Sequence, residues 1–224
     1  MGEMNTPDDA RQYAPATERN REPILDVLLR VLPSSGTVLE VASGTGEHAV
    51  FFAPRLSPRK WLPSDPNPRA RASIAAWRTH LPASNLYPPL DLDVRAPVWS
   101  VEMDALPEWL NRSDFDSSPI IAIVSINMIH ISPWSASLGL MAGAGRILPP
   151  GGILYLYGPF KQGGEHTSPS NLAFDKTLRA QDPDWGVRNL EDVVAAASTQ
   201  HLTMLETYQM PANNFSVVFQ RTEG

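Results

Sequence analysis

Strand-like and helix-like segments alternate five times along this 224-residue chain, and the alternation predicts one α/β domain with helices on both faces of a mostly parallel sheet. Two details sharpen that expectation. The run Ile-Ile-Ala-Ile-Val-Ser-Ile at 120–126 is apolar without alternation, as in a strand covered on both sides. The last two strand-like runs, 202–210 and 215–220, are joined only by Pro211-Ala212-Asn213-Asn214, so they pair as an antiparallel hairpin at one edge. Seven strands are expected in all.

Each element has its own signal. Ile24, Leu25, Val27, Leu28, Leu29, Val31 and Leu32 share one helical face that stops at Pro33, so residues 1–36 read as an arm and a leading helix. A β-branched run at 37–41 ends in Ser43-Gly44-Thr45-Gly46, and 47–53 reads as helix. A short strand at 60–62 precedes a helix at 66–80, with Asp65 or Asn67 placed to cap it. A strand is expected at 86–90. Ser132 is placed to cap a helix over 133–147, with Pro133 in the favoured first position. Pro149-Pro150-Gly151-Gly152 turns into a strand at 153–157. The polar stretch 158–188, roughly thirty residues, is too long for an ordinary connection and predicts a lid or substrate platform. Within it Ser168-Pro169 and 171–180 read as a short capped helix, and Asn189 then caps a helix at 190–200.

Composition narrows the function classes. Apolar residues make up 42% and charged residues 19%, which suits a packed core and argues against wholesale disorder. Eighteen basic against 24 acidic side chains give a net charge of −6, the opposite of what binding nucleic-acid phosphate needs. The stretch 55–80 is locally basic and 91–116 locally acidic, and solvated helix faces account for such runs better than an RNA-facing patch. With no cysteine there is no disulfide, thiol nucleophile, thiolate zinc site or iron–sulfur cluster. The five histidines show no metal-binding spacing, so no metal is expected. No window approaches the ~18 apolar residues of a membrane span. The first residues lack a secretory pattern, so a cytoplasmic location is expected. They fit the loose myristoylation pattern on Gly2, but without supporting positive charge. The 22 prolines sit mostly at helix starts, stops and turns, which reads as rigid punctuation of one domain rather than linker.

The strongest chemistry lies in Val38-Leu39-Glu40-Val41-Ala42-Ser43-Gly44-Thr45-Gly46-Glu47-His48-Ala49. Glycines at a strand-to-helix turn let backbone approach a ligand, and the helix start offers unpaired N–H donors. Gly44-x-Gly46-x-x-Ala49 satisfies the loose dinucleotide fingerprint, so a nicotinamide cofactor stands as one reading. Asp65, 19 residues past Gly46, can accept from vicinal ribose hydroxyls or cap the following helix. Glu40 either braces the turn as a buried acid or positions a cofactor.

Outward from this turn the sequence resembles a methyltransferase-like family of unknown function within the class I S-adenosylmethionine-dependent methyltransferases. The blocks that carry the resemblance are Glu18-Arg19-Asn20, Val38 to Gly46, Pro63-Ser64-Asp65, Leu92-Asp93-Val94, Asn127-Met128-Ile129-His130-Ile131-Ser132-Pro133, Tyr157-Gly158-Pro159-Phe160, Phe174-Asp175, Asp182-Pro183-Asp184-Trp185-Gly186 and Met210-Pro211-Ala212-Asn213-Asn214. Together they run through nearly the whole chain. The resemblance implies a Rossmann-like class I methyltransferase fold, S-adenosyl-L-methionine as cofactor and S-adenosyl-L-homocysteine as product. It implies no substrate. Glu40 matches the acid of the family's acid-x-Gly-x-Gly-x-Gly turn, with Ala42 in place of the first glycine, and Ser43, Gly44 and Gly46 complete it. Asp65 would hold the ribose, and the Leu92–Asp93 step would meet the adenine.

Candidates for the chemical step follow from position. Methyl transfer is an in-line displacement, so alignment and exclusion of water supply much of the catalysis. Asn127 and His130 follow the 120–126 strand, at the carboxyl end where ligands sit. Asn127 can accept from a substrate amine or hydroxyl, or simply hold the loop. His130 can take a proton near neutral pH, or be a histidine bonded within the loop. Tyr157, ending the next strand, can orient a nucleophile or pack. Arg19 and Asn20, expected just before the first helix, can fold over the site, with Arg19 gripping the cofactor carboxylate; a solvated helix start capped by Asn20 is the plainer reading. Asn213 and Asn214 can supply turn conformations. The acceptor is expected to be a small molecule, with no membrane partner, and a non-catalytic cofactor-binding protein stands beside the enzyme as an alternative.

Overall fold

A computed structural model describes residues 9–103 and 105–223; the myristoylation pattern on Gly2 lies outside them. The elements in order are α1 (Pro15–Val31), β1 (Thr37–Val41), α2 (Glu47–Arg55), β2 (Lys60–Pro63), α3 (Pro68–His80), α4 (Arg112–Ser117), β3 (Ile120–Ile126), α5 (Trp134–Ile147), β4 (Ile153–Gly158), β5 (Phe160–Gln162), β6 (Glu165–His166), α6 (Pro169–Gln181), β7 (Arg188–Asn189), α7 (Leu190–Ser198), β8 (Leu202–Met210) and β9 (Asn214–Arg221). The main sheet has the order β2-β1-β3-β4-β9-β8. β2, β1, β3 and β4 run parallel, and β9 is antiparallel to both β4 and β8. This is the expected α/β architecture with a C-terminal hairpin. Two apolar layers sandwich the sheet, one centred on α1 and α2 and the other on α5 and α7. Among the described residues no helix is long and apolar enough to cross a membrane.

The sheet has six strands rather than seven. The segment expected as a strand at 86–90 runs beside β2 but makes only isolated parallel bridges, Trp61 with Leu86 and Ser64 with Leu90. Pro88 and Pro89 stand between those bridges and have no N–H to give a ladder.

α1 begins at Pro15, well before the first apolar residue of its face, so Arg19 and Asn20 lie inside the helix rather than ahead of it. Its buried face is Thr17, Asn20, Ile24, Leu25, Val27 and Leu28. The first two buried positions are polar, and apolar periodicity alone therefore starts the helix too late.

Asn67, one of the two candidates, caps α3, accepting from Arg69 N at 2.9 Å. Two other caps differ from expectation. Asn189 holds the N-cap position of α7 but makes no side-chain cap bond. Ser132 does not cap α5; its hydroxyl donates back to Met128 O at 2.9 Å, and Pro133 holds the N-cap position. Ser168 caps α6 as expected, accepting from Asn171 N at 3.1 Å.

The 158–188 stretch contains α6 and a small separate sheet, β6-β5-β7, which the sequence did not announce. It is docked on the hairpin: Asn171 Nδ2 donates to Asn213 O at 2.9 Å, and Asn213 Nδ2 to Ser170 Oγ at 3.3 Å.

Candidate functional site

The sheet order reverses at β1, because β2 pairs on one side of it and β3 on the other. In open parallel sheets, ligands sit in the crevice beyond the carboxyl ends at such a point. Here that crevice is a cavity of about 430 Å³, within the ~300–1,000 Å³ usual for small-molecule sites. The β1 turn lines it with Glu40, Ala42, Ser43, Gly44 and Thr45. The stretch after β3 contributes Ile126, Asn127, Met128 and Ile131, and the start of α1 contributes Ala14, Ala16, Thr17 and Asn20, with His48 from α2.

Backbone geometry fixes the turn. The Glu40 carbonyl accepts from Ser64 N and Ser64 Oγ, each at 2.8 Å, and Ser43 N donates to Ser64 O at 2.9 Å. Ala42 and Gly44 both take left-handed φ, +55° and +57°. A Cβ on Gly44 would meet nothing within 4 Å, so this backbone faces open space. A Cβ on Gly46 would stand 2.8 Å from Ile74 Cα. Gly46 thus lets α2 pack against α3 and is not part of the cavity lining, contrary to its expected role beside a ligand.

Glu40 is the single acid in the lining among the described residues. It is 1% exposed and accepts from Trp61 Nε1 at 2.9 Å. Burial pushes its carboxyl up to about 7, and the neighbouring Asp65 charge adds to the shift. Such a group is poised to ionise when a cation arrives. The Glu40 carboxyl is tied to β2 through Trp61 and faces the cavity.

Asp65, just past β2, receives Gly44 N on Oδ2 at 3.0 Å and Asn67 N on Oδ1 at 2.9 Å. Burial pushes its carboxyl up, against the pull of these two amides. Each oxygen keeps a second lone pair for a further donor. Leu92 is buried in the core, and Asp93 turns to Arg95, accepting from its N at 2.9 Å and pairing with Nη2 at 2.8 Å. Neither lines the cavity, and Asp65 also stands just outside its lining, joined to it through Gly44 N.

A buried polar chain joins α1, α2 and the hairpin. Asn20 Oδ1 lies 2.8 Å from His48 Nε2, the Asn20 side chain stands close enough to the Tyr157 hydroxyl to hold its pKa down, and Asn214 Nδ2 donates to that hydroxyl at 3.0 Å. Burial, then the Arg21 charge, lowers His48 to about 3, and burial raises Tyr157. Tyr157 therefore reaches the cavity through Asn20 rather than lining it. Asn213 supplies a left-handed turn residue at φ +58°, but Asn214 does more than turn the chain. His48 was missed in the sequence. Two residues past the last glycine and stacked on Phe52 at 5.3 Å, it looks like one more core position of α2.

Asn127 lines the cavity at φ +58°, its N–H donating to Tyr157 O at 2.8 Å. His130 does not line it. The ring is 1% exposed, packed edge-on to Phe174 at 5.7 Å, and neither nitrogen has a hydrogen-bond partner. Burial, then the Arg188 charge, lowers it to about 3, so it is a neutral imidazole and not the neutral-pH base expected. Arg19 is exposed on α1 and outside the lining, which removes the expected grip on a carboxylate. Three cations of the locally basic stretch are tied down nearby: Arg59 donates to Pro33 O and Leu32 O, Arg78 to Leu86 O, and Arg71 pairs with Asp91.

A family model described as "Protein of unknown function (DUF938)" matches residues 11–221. Human N-acetylserotonin methyltransferase, solved in complex with SAM, superposes with a TM-score of 0.71 at 12% identity, over 93% of this chain and 53% of that one. An O-methyltransferase family protein from Burkholderia thailandensis gives 0.69 at 14% identity, over 93% and 58%. The S-adenosylmethionine-dependent methyltransferase SibL, in its apo form, gives 0.69 at 16%, over 93% and 56%. The chain spans little more than half the length of these proteins. At such identities the likeness establishes the fold, the Rossmann-like fold of class I methyltransferases.

Proposed function

Because this chain belongs to the DUF938 family, whose function is unknown, we propose its activity from the site: an S-adenosylmethionine-dependent methyltransferase acting on a small molecule. The observation that carries the reading is the cavity at the β1 reversal, where an open glycine turn and one buried acid meet.

The residues fit the cofactor. Glu40, ionised by a cationic neighbour, suits the ammonium or sulfonium charge. Gly44 leaves room for close approach, and Asp65 retains lone pairs for ribose hydroxyls. Ala14, Ala16 and Thr17 bring the positive end of α1 to the cavity, with Glu47 Oε2 already accepting from Ala14 N at 2.6 Å, and what remains of that end suits the cofactor carboxylate. When bound, the cofactor supplies an electrophilic methyl group.

The chain's own residues do the rest. Asn20 and Asn127 present amide groups to an acceptor, and Met128 and Ile131 exclude water beside them. His48 and His130 are both held neutral, so alignment carries the reaction more than proton abstraction does.

Calorimetric titration with S-adenosylmethionine and S-adenosylhomocysteine tests the cofactor: saturable binding to the folded chain is expected, and its absence would sink the proposal. Incubating labelled cofactor with metabolite fractions then separates an enzyme from a non-catalytic binder.

A further inference from the structure

A second cavity, of about 610 Å³, borders the same loop that carries Asn127 and His130. Arg188 lines it and clamps that loop, donating to Ile129 O at 2.9 Å and Ser132 O at 2.5 Å. Around it stand Lys161 on β5, Arg179 on α6 and Trp134 at the start of α5. Among the described residues the lining carries three cations against one acid, Asp192.

The cations are only partly neutralised from below. One buried carboxylate, Asp175, serves Arg179 Nε at 3.2 Å, His166 Nε2 at 3.3 Å and Lys161 Nζ at 3.6 Å. It also accepts Val187 N at 2.7 Å. The hydrogen bonds of Arg179 run from Nε alone, and its side chain is 49% exposed. Arg179 stands near enough to Arg188 to lower its pKa, second only to burial. Like charges held together across an open cavity are relieved by an anion between them. The start of α7 adds no net field, because Glu191 and Asp192 occupy its first turn and Asn189 Oδ1 accepts from Gly164 N at 3.1 Å, so the attraction rests on the three cations.

We propose that this cavity binds a small oxyanion, a phosphate or carboxylate group, held by Arg179, Lys161 and Arg188 with the Trp134 ring beside it. The Nη groups of Arg179 suit such a group, while Arg188, whose Nε and Nη2 are spent on Ile129 O, Ser132 O and Asp184 O, adds chiefly its charge. The site goes beyond the methyltransferase reading and does not depend on it. Its occupant would bear on the first cavity through Arg188, which holds the loop between the two.

The test is isothermal titration of the full chain with sodium phosphate and, separately, sodium citrate at fixed ionic strength. Saturable binding is expected. Arg179→Gln should weaken it by about tenfold or more, the loss of one charge-assisted contact. Lys161→Gln should weaken it too. Lys176→Gln, which removes a charge on α6 outside the lining, should leave it unchanged. Circular dichroism confirms that each variant is folded. Tighter phosphate identifies a phosphoryl ligand, and tighter citrate a carboxylate. No binding by the unaltered chain, unchanged affinity in both Arg179→Gln and Lys161→Gln, or equal weakening by Lys176→Gln each overturns the proposal. None of these outcomes touches the cofactor titration.

Discussion

The amide of Gly44 donates to Asp65 Oδ2 at 3.0 Å, so the glycine turn after β1 and the acid after β2 form one hydrogen-bonded unit. Asp65→Ala removes both the brace and the proposed ribose acceptor. S-adenosylhomocysteine affinity should fall by roughly ten- to a hundredfold, as for loss of charged hydrogen bonds. Calorimetry reads the change, and unaltered affinity would exclude Asp65 from the cofactor.

Glu40 makes stability and binding respond oppositely to pH. Its folded pKa of about 7 lies above the ordinary 4.5, so its stabilising contribution is complete below pH 4.5 and lost as pH rises through 7. Glu40→Gln stays neutral and keeps an acceptor for Trp61. Urea denaturation at pH 8 without cofactor should find the variant more stable by roughly 3 kcal/mol, and equal to the native chain near pH 4. Cofactor affinity should weaken in the variant, and in the native chain should fall as pH drops below 7.

Ala42 holds a left-handed φ of +55° in the position where the family pattern has glycine. An L-residue there costs about 1–2 kcal/mol, part of which glycine's unfolded-state entropy offsets. Ala42→Gly should raise stability by about 0.5–1 kcal/mol, measured as a higher melting temperature. A lower one would show that the alanine methyl earns its place by packing.

His130 and Gly158 are in steric register. A Cβ on Gly158 would lie 2.5 Å from His130 Cε1. Gly158→Ala should destabilise by about 1–3 kcal/mol through overpacking and through a φ of +157° that a Cβ disfavours. In the double variant with His130→Ala the overpacking part alone should vanish, and strictly additive losses in a double-mutant cycle would refute the contact.

The Asn171 side chain ties α6 to the hairpin tip through Asn213 O. Asn171→Ala should cost about 1 kcal/mol and speed amide exchange in 160–185 more than in β1 or β3. Equal acceleration everywhere would mean the tie is global rather than local.

What could be read from the residues followed physical scale. β3 and β4 carry nearly unbroken apolar runs because both faces are covered, and that signal is strong in sequence. The glycine turn was legible because its φ values restrict residue choice. By contrast, α1 starts earlier than its apolar face because its first buried positions are the polar Thr17 and Asn20, the latter paired with His48 on α2. His48 and the Asn20–Tyr157–Asn214 links join residues far apart in the chain, and no local pattern encodes them. His130 was placed on the correct loop, yet its burial depends on Phe174 and Gly158, which only the folded insertion brings together. The β6-β5-β7 sheet is built from strands of two or three residues, below the length at which periodicity can speak.

β9 lies between β4 and β8, both of which precede it in the chain. Assembly is therefore out of order. Residues up to Met210 leave β4 with an unpaired edge and β8 with no partner in the sheet, and closing the gap requires the strand that begins at Asn214. That same asparagine donates to Tyr157. A polar contact behind the cavity thus forms in the same event as the last strand pairing, so a chain interrupted before residue 214 would lack both a finished sheet and that support.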